Sequence, residues 1–241
     1  MTAASSPRSD QTDVPASLDP DVLLGVLAHE LRTPITTIYA GSAVLAREES
    51  LLPAMRRELA ADVYAEAARL FRTVEDLLVL TRLEHGALTM SREPVSLVRA
   101  AESSAQYEGV RWPELRWTVR PVGTPAPVVA DTNALAHALR NLIANIAWRA
   151  NGRADLEITV RSSDDDVACC LRDTTGTLED GDLDILFGLP DIEPRAGTTS
   201  PGIALYITDQ LIRAMQGETW AQRSDDGAVE IGFSLPRYEP N

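Results

Sequence analysis

The sequence holds little that would tie it to a disulfide framework, a membrane or a nucleic acid. Its only two cysteines, Cys169 and Cys170, are adjacent. That spacing suits neither a zinc site nor a set of disulfides, and two small apolar residues in a buried strand is the plain reading. No stretch approaches the roughly 18 continuous apolar residues of a membrane span. The opening MTAASSPRSDQTDVPAS has no apolar centre of the kind a secretion signal carries. Positive charge is also scarce: 22 basic residues stand against 36 acidic ones, for a net charge of −14 and a pI near 4.6. Such a surface repels the phosphate backbone and anionic headgroups. These absences predict a cytoplasmic chain with neither nucleic acid nor membrane as a partner, and the sequence contains no internal repeat.

What is present is enough to fold. Hydrophobic residues make up 44% of the 241, which allows a packed core and one or two domains. Residues 1–18 are rich in Ser, Thr, Pro and Asp and predict a disordered leader. Asp19-Pro20-Asp21 then reads as a helix start, with a capping Asp and Pro at the first helical position. Leu24, Leu27, Leu31, Ile35, Ile38, Ser42 and Leu45 follow the three/four spacing of one helix face. His29 falls nearly opposite that stripe, flanked by Thr33 and Thr36, so it is predicted to face solvent.

Glu48 to Pro53 breaks the pattern as a short loop, and a second helix is predicted from Ala54 to Glu84, with Leu59, Val63, Leu70, Val74 and Leu77 on one face. His85-Gly86 ends it. Two amphipathic helices leave apolar surface uncovered, and the economical solution is a homodimer that forms a four-helix bundle. From about Ser91 the character changes. Strands are predicted at Leu115–Val119, Pro127–Ala130, Leu156–Val160, Val167–Leu171 and Ala228–Leu235, with helices at Asn133–Ala150 and Ile203–Met215. This mixture predicts an α+β sandwich, helices on one face of a mixed sheet. The expected division is a leader at 1–18, a helical hairpin at 19–90 and an α+β domain at 91–241.

The motif of greatest chemical content is His29-Glu30-Leu31-Arg32-Thr33-Pro34. An exposed imidazole is a nucleophile when neutral near physiological pH, and the adjacent carboxylate can take a proton from one ring nitrogen while the other attacks. The string resembles, residue for residue, the H-box of the sensor histidine kinases of two-component systems. Arg82-Leu83-Glu84-His85-Gly86 followed by Pro94-Val95-Ser96-Leu97 is similar to that family's exit from the dimerisation hairpin. Leu139-Arg140-Asn141-Leu142-Ile143-Ala144-Asn145 is similar to its N-box.

The resemblance spans about residues 20–236. It implies that His29 is phosphorylated, that Glu30 is the general base, and that Thr33 positions water for phosphatase activity. It also implies an ATP-binding second domain in which Asn141 and Asn145 face the nucleotide, Asn145 holds Mg2+, and Asp173 accepts a hydrogen bond from the adenine amino group.

The glycine boxes depart from the family. In Asp173-Thr174-Thr175-Gly176-Thr177 both family glycines are replaced, by Thr175 and Thr177. Thr is β-branched and resists the close approach and positive φ that Gly allows; Gly176 stands between them. In Ser200-Pro201-Gly202-Ile203-Ala204-Leu205 only Gly202 is kept. Phe187 in the intervening lid resembles a remnant of the family's Phe-rich box, and Arg195 is that lid's basic residue. His85 and His137 have no metal-ligand partners in sequence, and Trp112, Trp117, Trp148 and Trp220 are expected to fill cores or edges. The implied function is ATP-dependent phosphorylation of His29 and transfer to the receiver domain of a response regulator. The alternative is a phosphotransfer or scaffold protein whose second domain no longer binds ATP. With no sensor domain recognisable in the sequence, the signal is expected from a separate sensor protein or through the leader.

Overall fold

The computed structural model describes residues 20–48, 50–85, 87–150, 152–173, 178–189 and 203–239. Two long helices come first, α1 (Pro20–Arg47) and α2 (Pro53–Glu84). Pro34 sits inside α1 without ending it and is buried. The hairpin closes tightly for two local reasons. Gly41 lets the helices approach: a Cβ there would lie 2.5 Å from Val63 Cγ2. Arg56, in the first turn of α2, donates to the carbonyls of Leu45 at 3.2 Å and Glu48 at 3.0 Å, which satisfies acceptors that the end of α1 leaves open.

The second part of the chain runs β1 (Glu93–Val95), α3 (Leu97–Arg111), β2 (Arg116–Val122), β3 (Val128–Ala130), α4 (Thr132–Arg149), β4 (Asp155–Ser162), β5 (Asp166–Asp173), the short α5 (Asp180–Leu183), α6 (Ile203–Ala214), β6 (Glu218–Arg223) and β7 (Val229–Pro236). Five strands form one sheet in the order β2-β4-β5-β7-β6, with β2 parallel to β4 and the other pairs antiparallel. A two-stranded antiparallel ribbon joins β1 to β3. Alternation sets the sheet's two faces. Leu156, Ile158 and Val160 of β4 and Val229, Ile231, Phe233 and Leu235 of β7 point inward. There they meet Leu135, Leu139, Leu142 and Ile146 of α4, Leu97 and Ala101 of α3, and Leu205 and Ile212 of α6 in one core. The start of α4 is fixed by Asp131, which accepts from the amides of Asn133 and Ala134, both at 2.9 Å, and from the Ser91 amide at 3.0 Å.

The expected architecture holds: a helical hairpin, then an α+β domain built on a mixed sheet. Four features differ from expectation. The predicted stripe of α1 divides into two faces: Leu27 is buried, whereas Leu24 and Ile35 remain 63% and 50% exposed. On α2, Val74 is 41% exposed instead of lying in the hairpin seam. The helices α3 and α5 and the strands β1 and β6 were not expected. Trp148, expected in a core or at an edge, lines a cleft. A second, smaller core joins the two parts: Leu23, Leu27 and Leu80 of the hairpin pack against Ile203, Ile207 and Leu211 of α6.

Candidate functional site

A cleft opens where the hairpin meets α4 and the start of α6. Glu30, Arg69, Arg72, Thr73 and Asp76 line it from the hairpin, and Asn141, Ala144, Asn145, Trp148, Ile203 and Ala204 line it from the second domain. The two expected motifs therefore face one another across a single space. His29 stands one residue from Glu30 on α1 and is exposed, as expected. Thr33 is exposed one turn further on, its hydroxyl at 3.5 Å from the His29 carbonyl.

Glu30 turns into the cleft. Burial pushes its carboxyl above the ordinary 4.5, and the opposing pull of Arg69 and then His29 does not cancel that effect. Arg69 Nη2 lies 3.7 Å from Glu30 Oε2, and the same guanidinium sits 5.5 Å from the centroid of the Trp148 ring. Arg69 thus stands between the H-box carboxylate and the N-box helix, a position that a planar cation able to stack and to pair can fill.

The two asparagines have different surroundings. Asn141 Nδ2 donates to Asp76 Oδ1 at 3.0 Å and to the Ala204 carbonyl at 3.2 Å. His137 Nε2 donates to the same Asp76 oxygen at 2.6 Å. One buried carboxylate on α2, 3% exposed, therefore clamps two residues of α4. Asn145 is 8% exposed, and its amide oxygen has no hydrogen-bond partner among the described residues. An orphaned buried carbonyl-type oxygen facing a cleft suits a hard cation, which takes oxygen ligands. This donor fits Mg2+, as the resemblance implies.

Asp173 ends β5 at 1% exposure, and Arg149 Nη2 of α4 lies 3.2 Å from its Oδ2. Gly176 and Gly202 lie outside the described residues, as do Thr175, Thr177, Ser200 and Arg195. Phe187 is half-buried against the main core. His85 bonds the Thr81 carbonyl through Nδ1 at 2.7 Å and is structural. His137 is an interdomain contact, a role its sequence neighbours do not reveal.

Sequence reasoning missed Arg69, Arg72, Asp76 and Arg149. Asp76 alone left a signal. It falls three residues after Thr73 and four before Leu80, and all three are buried, so a carboxylate on that inward face had to have a partner. Arg72 pairs with Glu108 of α3 at 3.6 Å. Burial pushes the Glu108 carboxyl up, against the pull first of Arg72 and then of Arg111.

A hairpin bearing an exposed histidine, joined through a polar cleft to an α+β domain with orphaned amide chemistry, defines the class of a phospho-acceptor core with its ATPase. Comparison with known proteins gives the same result. Residues 21–86 match the His Kinase A (phospho-acceptor) domain, and residues 130–239 match the histidine kinase-, DNA gyrase B-, and HSP90-like ATPase family. The sensor histidine kinase TrcS of Mycobacterium tuberculosis is 26% identical over 220 residues, covering 88% of this chain and 43% of that protein. MtrB of Mycolicibacterium paratuberculosis, also a sensor histidine kinase, is 29% identical over 88% of this chain and 38% of its own length.

Among solved structures, the Acinetobacter baumannii histidine kinase AdeS shares the fold with a TM-score of 0.64 at 20% identity, over 88% of this chain and 98% of that one. The histidine kinase ThkA, in complex with response regulator protein TrrA, gives a TM-score of 0.65 at 15% identity, over 90% of this chain and 61% of that one. The chain belongs to the two-component sensor histidine kinases. It spans less than half the length of these curated relatives. No helix among the described residues is long and apolar enough to cross a membrane.

Proposed function

We propose that this chain is the catalytic core of an ATP-dependent protein histidine kinase, a transferase that phosphorylates itself on His29 and passes the phosphoryl group to an aspartate of a response regulator. The observation that carries the reading is the shared cleft, in which the H-box carboxylate Glu30 faces the N-box amides Asn141 and Asn145. The match of residues 130–239 to an ATPase family supports ATP as the nucleotide. The ThkA structure, solved with its regulator, supports a receiver domain as the partner.

In the proposed chemistry, one imidazole nitrogen of His29 forms a bond to the γ-phosphorus as the bond to the bridging oxygen of ADP breaks. The proton on the other ring nitrogen passes to Glu30. Little covalent work is asked of the protein, and most of the acceleration comes from position and charge. Asn145, with its orphaned oxygen, would hold Mg2+, which neutralises charge on the phosphates. Arg69 would add positive charge at the same cleft. Thr33 would position water when the phosphoryl group is removed. Asp173, Gly176 and Gly202 would bind the base and phosphates.

The working units are the hairpin at 19–90 and the ATP-binding domain at 91–241, preceded by the leader. The hairpin pairs with a second copy as a homodimer, in the cytoplasm.

Labelling with γ-phosphate-labelled ATP tests the reading. The expected product is an acid-labile, base-stable phosphoryl group that His29→Ala abolishes with the fold intact. Label that persists in His29→Ala, or no label at all from the parent at millimolar ATP, would refute it.

A further inference from the structure

A groove of about 670 Å³ runs between α3 and α4 and shares no residue with the cleft described above. Its α3 wall carries Arg99, Ser103 and Tyr107, and its α4 wall carries Ala136 and Arg140. Residues four apart stay on one helix face, so each wall is a single continuous face. The Arg140 guanidinium lies 5.1 Å from the centroid of the Tyr107 ring, which brings one end of each wall together. Arg99 stands eight residues before Tyr107 on α3, a separation of about 12 Å at the helical rise per residue. The groove therefore carries two cationic points, roughly 12 Å apart along its length.

In a chain of 36 acidic and 22 basic residues, no acidic side chain lines this groove. Neither arginine forms an ion pair among the described residues. Arg140 gives Nε to the Ala136 carbonyl at 3.3 Å, and the buried Glu108, on which its charge acts, is paired with Arg72 at 3.6 Å. Asp131, at the start of α4, is taken up by the amides of Asn133 and Ala134 and by Ser91. Between the cationic points lies Ser104, 3% exposed and lining the groove. Its hydroxyl has no hydrogen-bond partner among the described residues. A buried hydroxyl left unpaired is costly, and a group entering the groove can supply the missing bond. The neighbouring Ala100, Ser103 and Ala136 are small, which leaves room for a main chain to approach that hydroxyl.

We propose that the groove between α3 and α4 is a docking site for a short acidic segment of a partner protein, held in extended form with carboxylates four residues apart. An extended chain rises 3.2–3.4 Å per residue, so four residues span about 13 Å, which matches the spacing of the two arginines. One carboxylate meets Arg99 and the other Arg140, each able to take it in forked hydrogen bonds. The Ser104 hydroxyl pairs with the main chain between them. A single small anion would satisfy one arginine and leave the other. The net charge of −14 repels a long polyanion, so a short segment is favoured over a nucleic acid or an anionic membrane. The inference is independent of the ATP-binding reading.

Titration of the isotope-labelled full chain, followed through its backbone amide signals, tests this. The probe is the peptide acetyl-Glu-Thr-Val-Thr-Glu-amide. The comparisons are the same peptide with Gln at both ends, an isomer with its two glutamates adjacent, and free glutarate. The first peptide should give saturable shifts at the amides of Ser103, Ser104, Tyr107 and Arg140 at millimolar concentration, and the others much weaker ones. Arg99→Gln and Arg140→Gln should each weaken binding roughly 3–10-fold, and Ser104→Ala should weaken it less. Thermal melts show which variants are folded. Arg99 is exposed, so its variant suffices if the other fails to fold.

Equal binding of the Gln peptide or of the adjacent-glutamate isomer would overturn the proposal, as would binding unchanged in Arg99→Gln or no shift in the groove at millimolar peptide. Glutarate producing the same shifts at the same concentration would make the groove a small-anion site and overturn it too. Groove amides that shift with protein concentration alone would place a second copy of this chain there instead of a partner.

Discussion

At the scale of single residues, Glu30 makes the sharpest commitment. A general base works only when deprotonated, and burial holds this carboxyl above its ordinary 4.5. The rate of His29 phosphorylation should therefore fall, on the acid side, through a midpoint above 4.5 set by Glu30 in its folded environment. Arg69 opposes that rise, so Arg69→Gln should move the acid limb to still higher pH. A pH–rate profile of the parent and this variant gives the comparison, and an unmoved limb would show that Glu30 is not the titrating base. Glu30→Gln should slow phosphorylation roughly 10²–10⁴-fold. Transfer from phosphorylated His29 to a regulator should suffer less, because that step needs no proton taken from His29. Equal loss in both steps would assign Glu30 a positional role.

At the scale of elements, the hairpin and the ATP-binding domain are joined through charged groups that neither could bury alone. Asp76 of α2 is shared by His137 and Asn141 of α4, and Arg72 of α2 meets Glu108 of α3, itself 1% exposed. Breaking one partner of a buried pair costs about 3–5 kcal/mol when the other stays buried and charged. Here the domains can relieve that cost by parting. Arg72→Ala should therefore lower protection of the facing surfaces of α2 and α3 in hydrogen exchange and leave the sheet core unchanged. Global loss of protection would mean that the pair supports the whole fold. Asp76→Ala should loosen α4 in the same way and leave the Asn141 amide held by the Ala204 carbonyl alone among the described residues.

The same elements show what could be read from the chain. The H-box, the N-box and the long helices were legible because each is written in consecutive residues with a helical period. Helix α3 was not. Its buried face is Leu97, Ala101, Ser104, Ala105 and Glu108, and small or charged residues give a faint periodic signal. Strand β6, Glu218–Arg223, is a short and largely polar edge. The cleft could not be read either: Asp76 and Asn141 lie 65 residues apart, and nothing local in either segment announces the other.

At the scale of the whole molecule, the hairpin leaves apolar side chains uncovered. Leu24, Ile35 and Tyr39 of α1 are 63%, 50% and 75% exposed, and Tyr64, Phe71 and Leu78 of α2 are 74%, 65% and 53% exposed. Residues 64, 71 and 78 recur every seven positions, the period of a helix seam that packs against another helix. The face that α1 turns to α2 is a different one, carrying Gly41 and half-buried Leu45, so these exposed side chains are not spare members of the hairpin's own seam. An exposed apolar strip at this period marks an association surface. In the homodimer proposed above, a second copy of the same strip, related by a two-fold axis, would cover both at once.

The chain's net charge of −14 opposes that association at long range, so burial of the strip must outweigh a repulsion that salt screens. Two consequences can be measured by sedimentation at micromolar concentration. The parent should be a dimer, and its dimer should tighten as salt rises from low to physiological strength. Phe71→Glu with Leu78→Glu should yield a folded monomer, because each change places a charge in the strip and adds to the repulsion. A monomeric parent, or a double variant that remains dimeric, would place the association surface elsewhere.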